Sequence, residues 1–420
     1  MSMLSDRAST SRRAYRRGSI YLYVLASSLL LTILGLGSLA AVRVQVRAAR
    51  LARDGAEVRA GATSAIELGR LYVKQNSTWR TAMPHGTWMN NRELGDVTFT
   101  LQGTDPVDGV LSNSVYDPVV LTATATHGIA SHMVQVTLVP VVKPLAVLTS
   151  CLTASGQINI VAGYQMTVVG APLSTNAILR NNATIDGNAE AQNAPMPGTV
   201  TGTLTVPGPT KPMPDASVLT WYAGEATTVP YAAIMEKFVL GPGCNTLGPT
   251  DPNGLYVIDT SGRDLTLRNC RIYGTLIVLA GSKKVTIDGA VFMQNYRSDF
   301  PVLLVQGNVE FKLKSVTEVL SESACVANFN PTGAPYGGVT DADTSDAYPD
   351  EIRGLVHIQG DLTLWETTRI AGVVICDGAF TGNGQNTIAY DARLYANPPL
   401  KYISVDGMKV SPGTWKQVVQ

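Results

Sequence analysis

The side chains best suited to hold a cation lie in one acidic stretch, Asp341, Asp343, Asp346, Asp350 and Glu351. Hard oxygen ligands at near-alternate positions can wrap calcium, but the glycine and closing glutamate of an EF-hand loop are missing. A solvated loop is therefore the simpler reading of Asp341, Asp343 and Asp346. Asp105 and Asp108 also offer carboxylates, in an Asp-Pro and an Asp-Gly context that is ordinary turn chemistry. Four imidazoles are present, His85, His127, His132 and His357. His127 and His132 flank Gly128 without further ligands nearby and read as a solvated loop pair. His357 alternates within Leu355-Val-His-Ile and is expected to face outward.

The sequence contains no HExxH, no GxSxG and no Walker-type glycine loop. Asp259, Asp264, Asp288, Asp299 and Asp361 could serve a polysaccharide-active enzyme if they gathered on one sheet face. Asp264 and Asp361, however, occupy equivalent repeat positions at strand starts, where capping a turn is the cheaper role. No residue is assigned to catalysis, and no cofactor is implied beyond the calcium left open above. Five cysteines, Cys151, Cys244, Cys270, Cys325 and Cys376, are far apart with no CxxC. One or two disulfides would suit an oxidising compartment, and burial as small hydrophobes is the plainer reading of all five.

Lysine plus arginine and aspartate plus glutamate each number 32 among 420 residues. Zero net charge gives no electrostatic footprint for nucleic acid. Positive charge is local: Arg7, Arg12, Arg13, Arg16 and Arg17 precede an uncharged run from Ser19 to Val42. About 20 apolar residues suffice to span a bilayer as a helix, so this run reads as a membrane helix. Arg43, Arg47, Arg50 and Arg53 follow it in place of a small-residue cleavage site, so the anchor is expected to stay with the protein. The first basic cluster places residues 1–18 in the cytoplasm and the rest outside.

The helical pattern continues past the membrane face to Tyr72 without a proline. Gly55, Gly61 and Gly69 weaken it without ending it. Ala48, Ala52, Ala56 and Ala60 form a small-residue stripe suited to close helix packing. A helix from Ser19 to Val73 would be roughly 80 Å long.

A basic leader ending in Gly18, a processing point before Ser19, and the apolar run Ile20 to Ala41 containing Leu29-Leu30-Leu31-Thr32-Ile33-Leu34 resemble type IV pilin-like proteins. Within that family the chain is most similar to PilX-like minor pilins. The resemblance covers about the first seventy residues. It implies that a prepilin peptidase cuts after Gly18 and that the helix packs with other pilin or pseudopilin subunits. It also implies a single-pass protein of a bacterial inner membrane. Tyr23 stands where most pilins carry a glutamate that neutralises a neighbour's terminal ammonium. The same departure is found in some tip-located subunits and points to a minor or initiating role.

Beyond the helix, Asn76 to Asn91 reads as a linker, and 76–145 as a small antiparallel β domain with strands near Asp96, Pro118 and Met133. From 146 to 400 short strands repeat. Gly254-Leu-Tyr-Val-Ile, Asp264-Leu-Thr-Leu and Arg271-Ile-Tyr-Gly are matched by Gly354-Leu-Val-His-Ile, Asp361-Leu-Thr-Leu and Arg369-Ile-Ala-Gly. Val302 to Phe311 echoes the segment starting at Val356.

Such repetition predicts a right-handed β-helix or solenoid-like domain, with a sandwich as the competing all-β answer. Ile258, Leu265, Leu267, Ile272, Leu276, Val285, Ile287 and Val291 should point inward. Ala194 to Asp215 and Gly333 to Asp350 should be surface excursions, and 401–420 a C-terminal tail.

The expected class is therefore α+β, a long apolar helix followed by a mainly β ectodomain. The expected role is a non-enzymatic subunit of a type IV pilus or type II secretion-like assembly, whose ectodomain contacts other subunits, a surface polysaccharide or a protein. A membrane-anchored β-helix enzyme acting on polysaccharide, and an anchored adhesin or scaffold unrelated to pili, stand as the alternatives.

Overall fold

The computed structural model describes residues 14–313 and 319–418, with side chains from residue 20 onward. Most of the expected leader, residues 1–13, lies outside the described residues. The chain is a long amino-terminal helix followed by mainly β structure, divided into two compact units. One unit holds the helix, the sheet that follows it and the carboxyl-terminal strands. The other is Val142–Ser404.

Helix α1 runs over Ala14–Gln75, 62 residues without a break. Four antiparallel strands follow: β1 (Gly86–Leu94), β2 (Val97–Thr104), β3 (Val119–His127) and β4 (Ala130–Pro144), paired in chain order. Alternation along β2 and β3 points Val97, Phe99, Leu101, Val119, Leu121, Ala123 and Ala125 at one face, where they bury against Val58, Ala62, Ala65, Ile66 and Val73 of α1. The presumed linker also joins this core, since Trp79 is buried and its ring lies 5.8 Å from that of Trp88. Residues expected as a tail supply two further strands, Ile403–Val410 and Lys416–Val418, both beside β4.

In Val142–Ser404 the strands pair almost entirely in parallel, most with the preceding or following repeat and those of 369–390 with strands of 152–169. A single column runs through Leu204, Ala189, Leu173 and Leu152, then Val374, Val356, Leu303 and Leu276, then Tyr256 and Thr227. A late strand, Arg369–Cys376, thus pairs with the first strand of the unit, Leu152–Ala154, with Val374 beside Leu152. All eight positions predicted to face inward lie in one shared core. The echoed sequences are stacked neighbours in register: Val305 pairs with Ile358 and Val309 with Leu362, so Gln-Gly-Asn lies beside Gln-Gly-Asp.

The repeat glycines explain themselves by close approach. A Cβ on Gly274 would stand 2.1 Å from the carbonyl oxygen of Gly254, and one on Gly372 would clash with that of Gly354. Side-chain caps join successive turns. Asp264 Oδ1 accepts from Lys284 N at 3.0 Å, and Asp361 Oδ1 from Ala379 N at 2.8 Å.

Two expected surface loops do more than extend into solvent. Thr199–Val200 and Leu204–Thr205 add parallel pairs to the column. Residues 322–350 lay Phe329, Ala334 and Tyr348 over Val239 and Phe292 as a separate buried cluster.

Candidate functional site

Helix α1 is two surfaces on one rod. From Ile20 to Leu51 every large apolar side chain is exposed, and Ile20, Tyr23, Leu29, Leu30, Leu31 and Leu34 are between 60% and 77% accessible. Leaving such side chains in water forgoes roughly 1.5–3 kcal/mol each, so this stretch requires an apolar surrounding. It is long and apolar enough to cross a bilayer. Gly18 and Ser19 fall within the helical span, and their surroundings lie outside the described residues.

The serine and threonine hydroxyls in this half bond back to their own helix. Ser27, Ser28, Thr32 and Ser38 donate to the carbonyls of Val24, Leu25, Ser28 and Gly35 at 2.7–3.0 Å. Polar groups bonded back to their own helix demand no water, which suits an apolar environment. Serine or threonine inside a helix is itself the sequence signal for such back-bonding.

From Val58 onward one face is sealed. Gly61 and Gly69 lie against the sheet so closely that added Cβ atoms would stand 2.7 Å from Val97 Cγ1 and 3.0 Å from Leu101 Cδ2. Two of the three glycines read as weak helix formers, Gly61 and Gly69, are contact points. Ala48, Ala52, Ala56 and Ala60 remain exposed. At the junction of the two halves Arg53 donates to Glu57 at 2.8 Å, and Glu57 lies 3.0 Å from His127 Nδ1 of β3. That carboxyl is held below its ordinary range, chiefly by the Arg53 hydrogen bond. His127 is thus half-buried against the helix and not a free loop partner of His132.

His357 corrects its expectation. Its side chain does point away from the inner core of the column, but that outer face is covered by helix Ser217–Glu225 and by Tyr402. It is fully buried, with Nδ1 2.9 Å from the Tyr402 hydroxyl and Nε2 3.3 Å from both Asp377 oxygens. This is a packed staple with no approach for substrate.

Among the described residues three groups of carboxylate or imidazole ligands lie close enough to share a cation: Asp54, Glu57 and His127; Asp105, Asp108 and Asp117; and Glu322, Asp341 and Asp343. In the second, Asp105 and Asp108 cap Val107 N and Val110 N, the turn chemistry their neighbours predict. The third joins Asp341 and Asp343 to Glu322, which the sequence did not single out. Asp346 meets Asp341 through Asn330.

All five cysteines are free thiols, four of them buried. Burial pushes the Cys376 thiol up to about 12. Arg271, also buried, donates to the carbonyls of Phe329, Ala334 and Pro335 and lies within 6 Å of the rings of Phe292, Tyr336 and Tyr348. It pins the 329–335 segment to the column.

No protein-family model and no curated protein matches the sequence. Among solved structures the chain is similar to the competence-associated pilin ComZ from Thermus thermophilus, at 12% identity and a TM-score of 0.33 over 87% of this chain and 98% of that one. It is also similar to an ice-binding protein from an Antarctic biological consortium, at 11% identity and a TM-score of 0.27 over 59% and 91% of the two chains. The ice-binding protein of the Antarctic ascomycete Antarctomyces psychrotrophicus gives 13% identity and a TM-score of 0.23 over 59% and 98%. At these scores none of the three carries an argument about what this chain does.

Proposed function

We propose that the chain is a non-enzymatic minor pilin or pseudopilin-like subunit of a type IV pilus or type II secretion-like assembly. The observation that supports this most is the division of α1 into an apolar half that none of the described residues covers and a half sealed by its own sheet. A plain anchor needs about 20 apolar residues and can end there. Here the same helix continues unbroken into the sheet, so the exported domain is fixed to a rigid rod.

In this reading a prepilin peptidase cuts after Gly18, leaving Ser19 first. Ile20 to Leu34 reside in the bacterial inner membrane, with the amino end cytoplasmic before processing, and later pack among the helices of other pilin subunits. The exposed Ala48, Ala52, Ala56 and Ala60 stripe permits the close approach such packing requires. Tyr23 supplies no carboxylate for a neighbour's terminal ammonium, which suits a minor or initiating position.

We read the parallel column as a right-handed β-helix over 146–400, joined through the small β domain of 76–145 to the helix of 19–75. Its flanks would meet other subunits, a surface polysaccharide or a protein ligand. Photo-crosslinking tests this in assembling cells. A photoreactive residue at Leu30 should capture the helices of other pilin-like subunits, whereas one at Ala65 should react only within the chain. Capture of lipid alone at Leu30 under assembly conditions contradicts the proposal.

A further inference from the structure

Between Val319–Ser321 and Ala347–Pro349 the chain makes its acidic excursion, and folding gathers more oxygen there than the local spacing shows. One carboxylate oxygen each from Glu322, Asp341 and Asp343 lies within 4.8 Å of the others. Calcium holds its oxygens at about 2.3–2.6 Å, so two on opposite sides of one ion are about 4.6–5.2 Å apart, and this grouping has the size of one ion. Asn330 donates Nδ2 to Asp341 Oδ2 and to Asp346 Oδ2, both at 3.0 Å, which brings a fourth carboxylate to the group. Among the described residues no lysine or arginine ion pair reaches any of the four.

An observation independent of the acidic residues points to a missing ligand. Asn330 is 1% exposed, and its Oδ1 is buried without a hydrogen-bond partner. A buried amide oxygen left unpaired costs about 1–3 kcal/mol. The oxygen belongs to the same planar amide that bridges Asp341 and Asp346, and a half turn about the side-chain bond exchanges it for the nitrogen. With a cation among the carboxylates, the oxygen becomes the better group to present.

Glu322 is already oriented for such a role, since it accepts from the Tyr348 hydroxyl at 2.8 Å and from Asp346 N at 3.1 Å.

We propose that this cluster is a calcium site, with Glu322, Asp341, Asp343 and Asp346 as carboxylate ligands and the Asn330 amide oxygen as a neutral one. The ligand set is all oxygen and sits largely on a loop. Calcium accepts six to eight oxygens in flexible geometry, whereas magnesium demands a tight octahedron and zinc prefers nitrogen or sulfur. The bound ion would close the 322–350 excursion over Val239 and Phe292, independently of whether the helix assembles into a filament.

The test uses the full chain in detergent, stripped with a chelator and titrated with calcium chloride by calorimetry. The wild type should bind calcium, and Asp341→Asn with Asp343→Asn should weaken that binding about tenfold or more. Asp343→Asn alone, at an exposed position, should weaken it in the same direction without endangering the fold. Asp105→Asn with Asp108→Asn should leave it unchanged. Terbium luminescence excited through Tyr348 should appear in the wild type and fall in the Asp343→Asn chain. No calcium binding by the wild type, or unaltered binding by the Asp343→Asn and double variants, overturns the proposal.

Discussion

Gly61 of α1 meets Val97 of β2 so closely that a single added methyl group would stand 2.7 Å from Val97 Cγ1. Helix propensity favours alanine over glycine by about 1 kcal/mol, while overpacking a tight contact costs about 1–3 kcal/mol. The second effect wins here. Gly61→Ala should lower the stability of the helix–sheet unit by up to about 2 kcal/mol, and Gly61→Leu by more. Gly55, with nothing nearer than Arg59 at 4.0 Å, gives the control: Gly55→Ala should be neutral or stabilising. Thermal unfolding of the detergent-solubilised variants measures both.

Removing the Tyr402 hydroxyl leaves His357 Nδ1 buried without its partner at 2.9 Å. Tyr402→Phe should therefore destabilise the unit Val142–Ser404 by about 1–3 kcal/mol. Tyr402→Ala adds a cavity and should cost about 3–5 kcal/mol. A shift in the denaturant midpoint of the β-rich unit is the readout, and an unchanged Tyr402→Phe midpoint would show that the staple contributes nothing.

Four of the five thiols should differ sharply in reactivity. Cys244 is half-buried, whereas Cys151, Cys270 and Cys376 are fully buried and burial raises all of their thiols. The thiolate is the reactive form, so alkylation at pH 8 should label Cys244 ahead of Cys151, Cys270 and Cys376, which it should reach only on unfolding. Peptide mass spectrometry after a short labelling pulse checks the order.

Asp391 gives a pH dependence of defined sign. Arg393 hydrogen bonds hold its carboxyl below the ordinary aspartate range of about 3.9. A depressed folded value means that its stabilising contribution is present above the ordinary value and is lost as pH falls through the folded one. The stability gap between wild type and Asp391→Asn should accordingly be constant near neutrality and close on acidification below about pH 4. Paired urea titrations at pH 7 and pH 3 measure it.

What could be read from the chain follows the range of the interactions involved. The inward positions of the column were legible because apolar alternation is local, and the Gln-Gly-Asn and Gln-Gly-Asp echo was legible because stacked strands share an environment. The burial of His357 was not, since its cover is a helix some 140 residues earlier and a tyrosine 45 residues later. Glu322 and Asn330 escaped for the same reason: their meeting with Asp341 depends on how the excursion folds back. Gly61 and Gly69 looked like defects in a helix until the sheet that touches them was in place.

The amino terminus of the mature protein tests the central claim most directly. Expressed with an active prepilin peptidase, the chain should begin at Ser19, and without the peptidase, or as Gly18→Ala, it should keep its basic leader. A terminus that stays intact in the presence of the peptidase, or one cut elsewhere, would contradict an assembly role for the helix and leave a tethered β-rich protein.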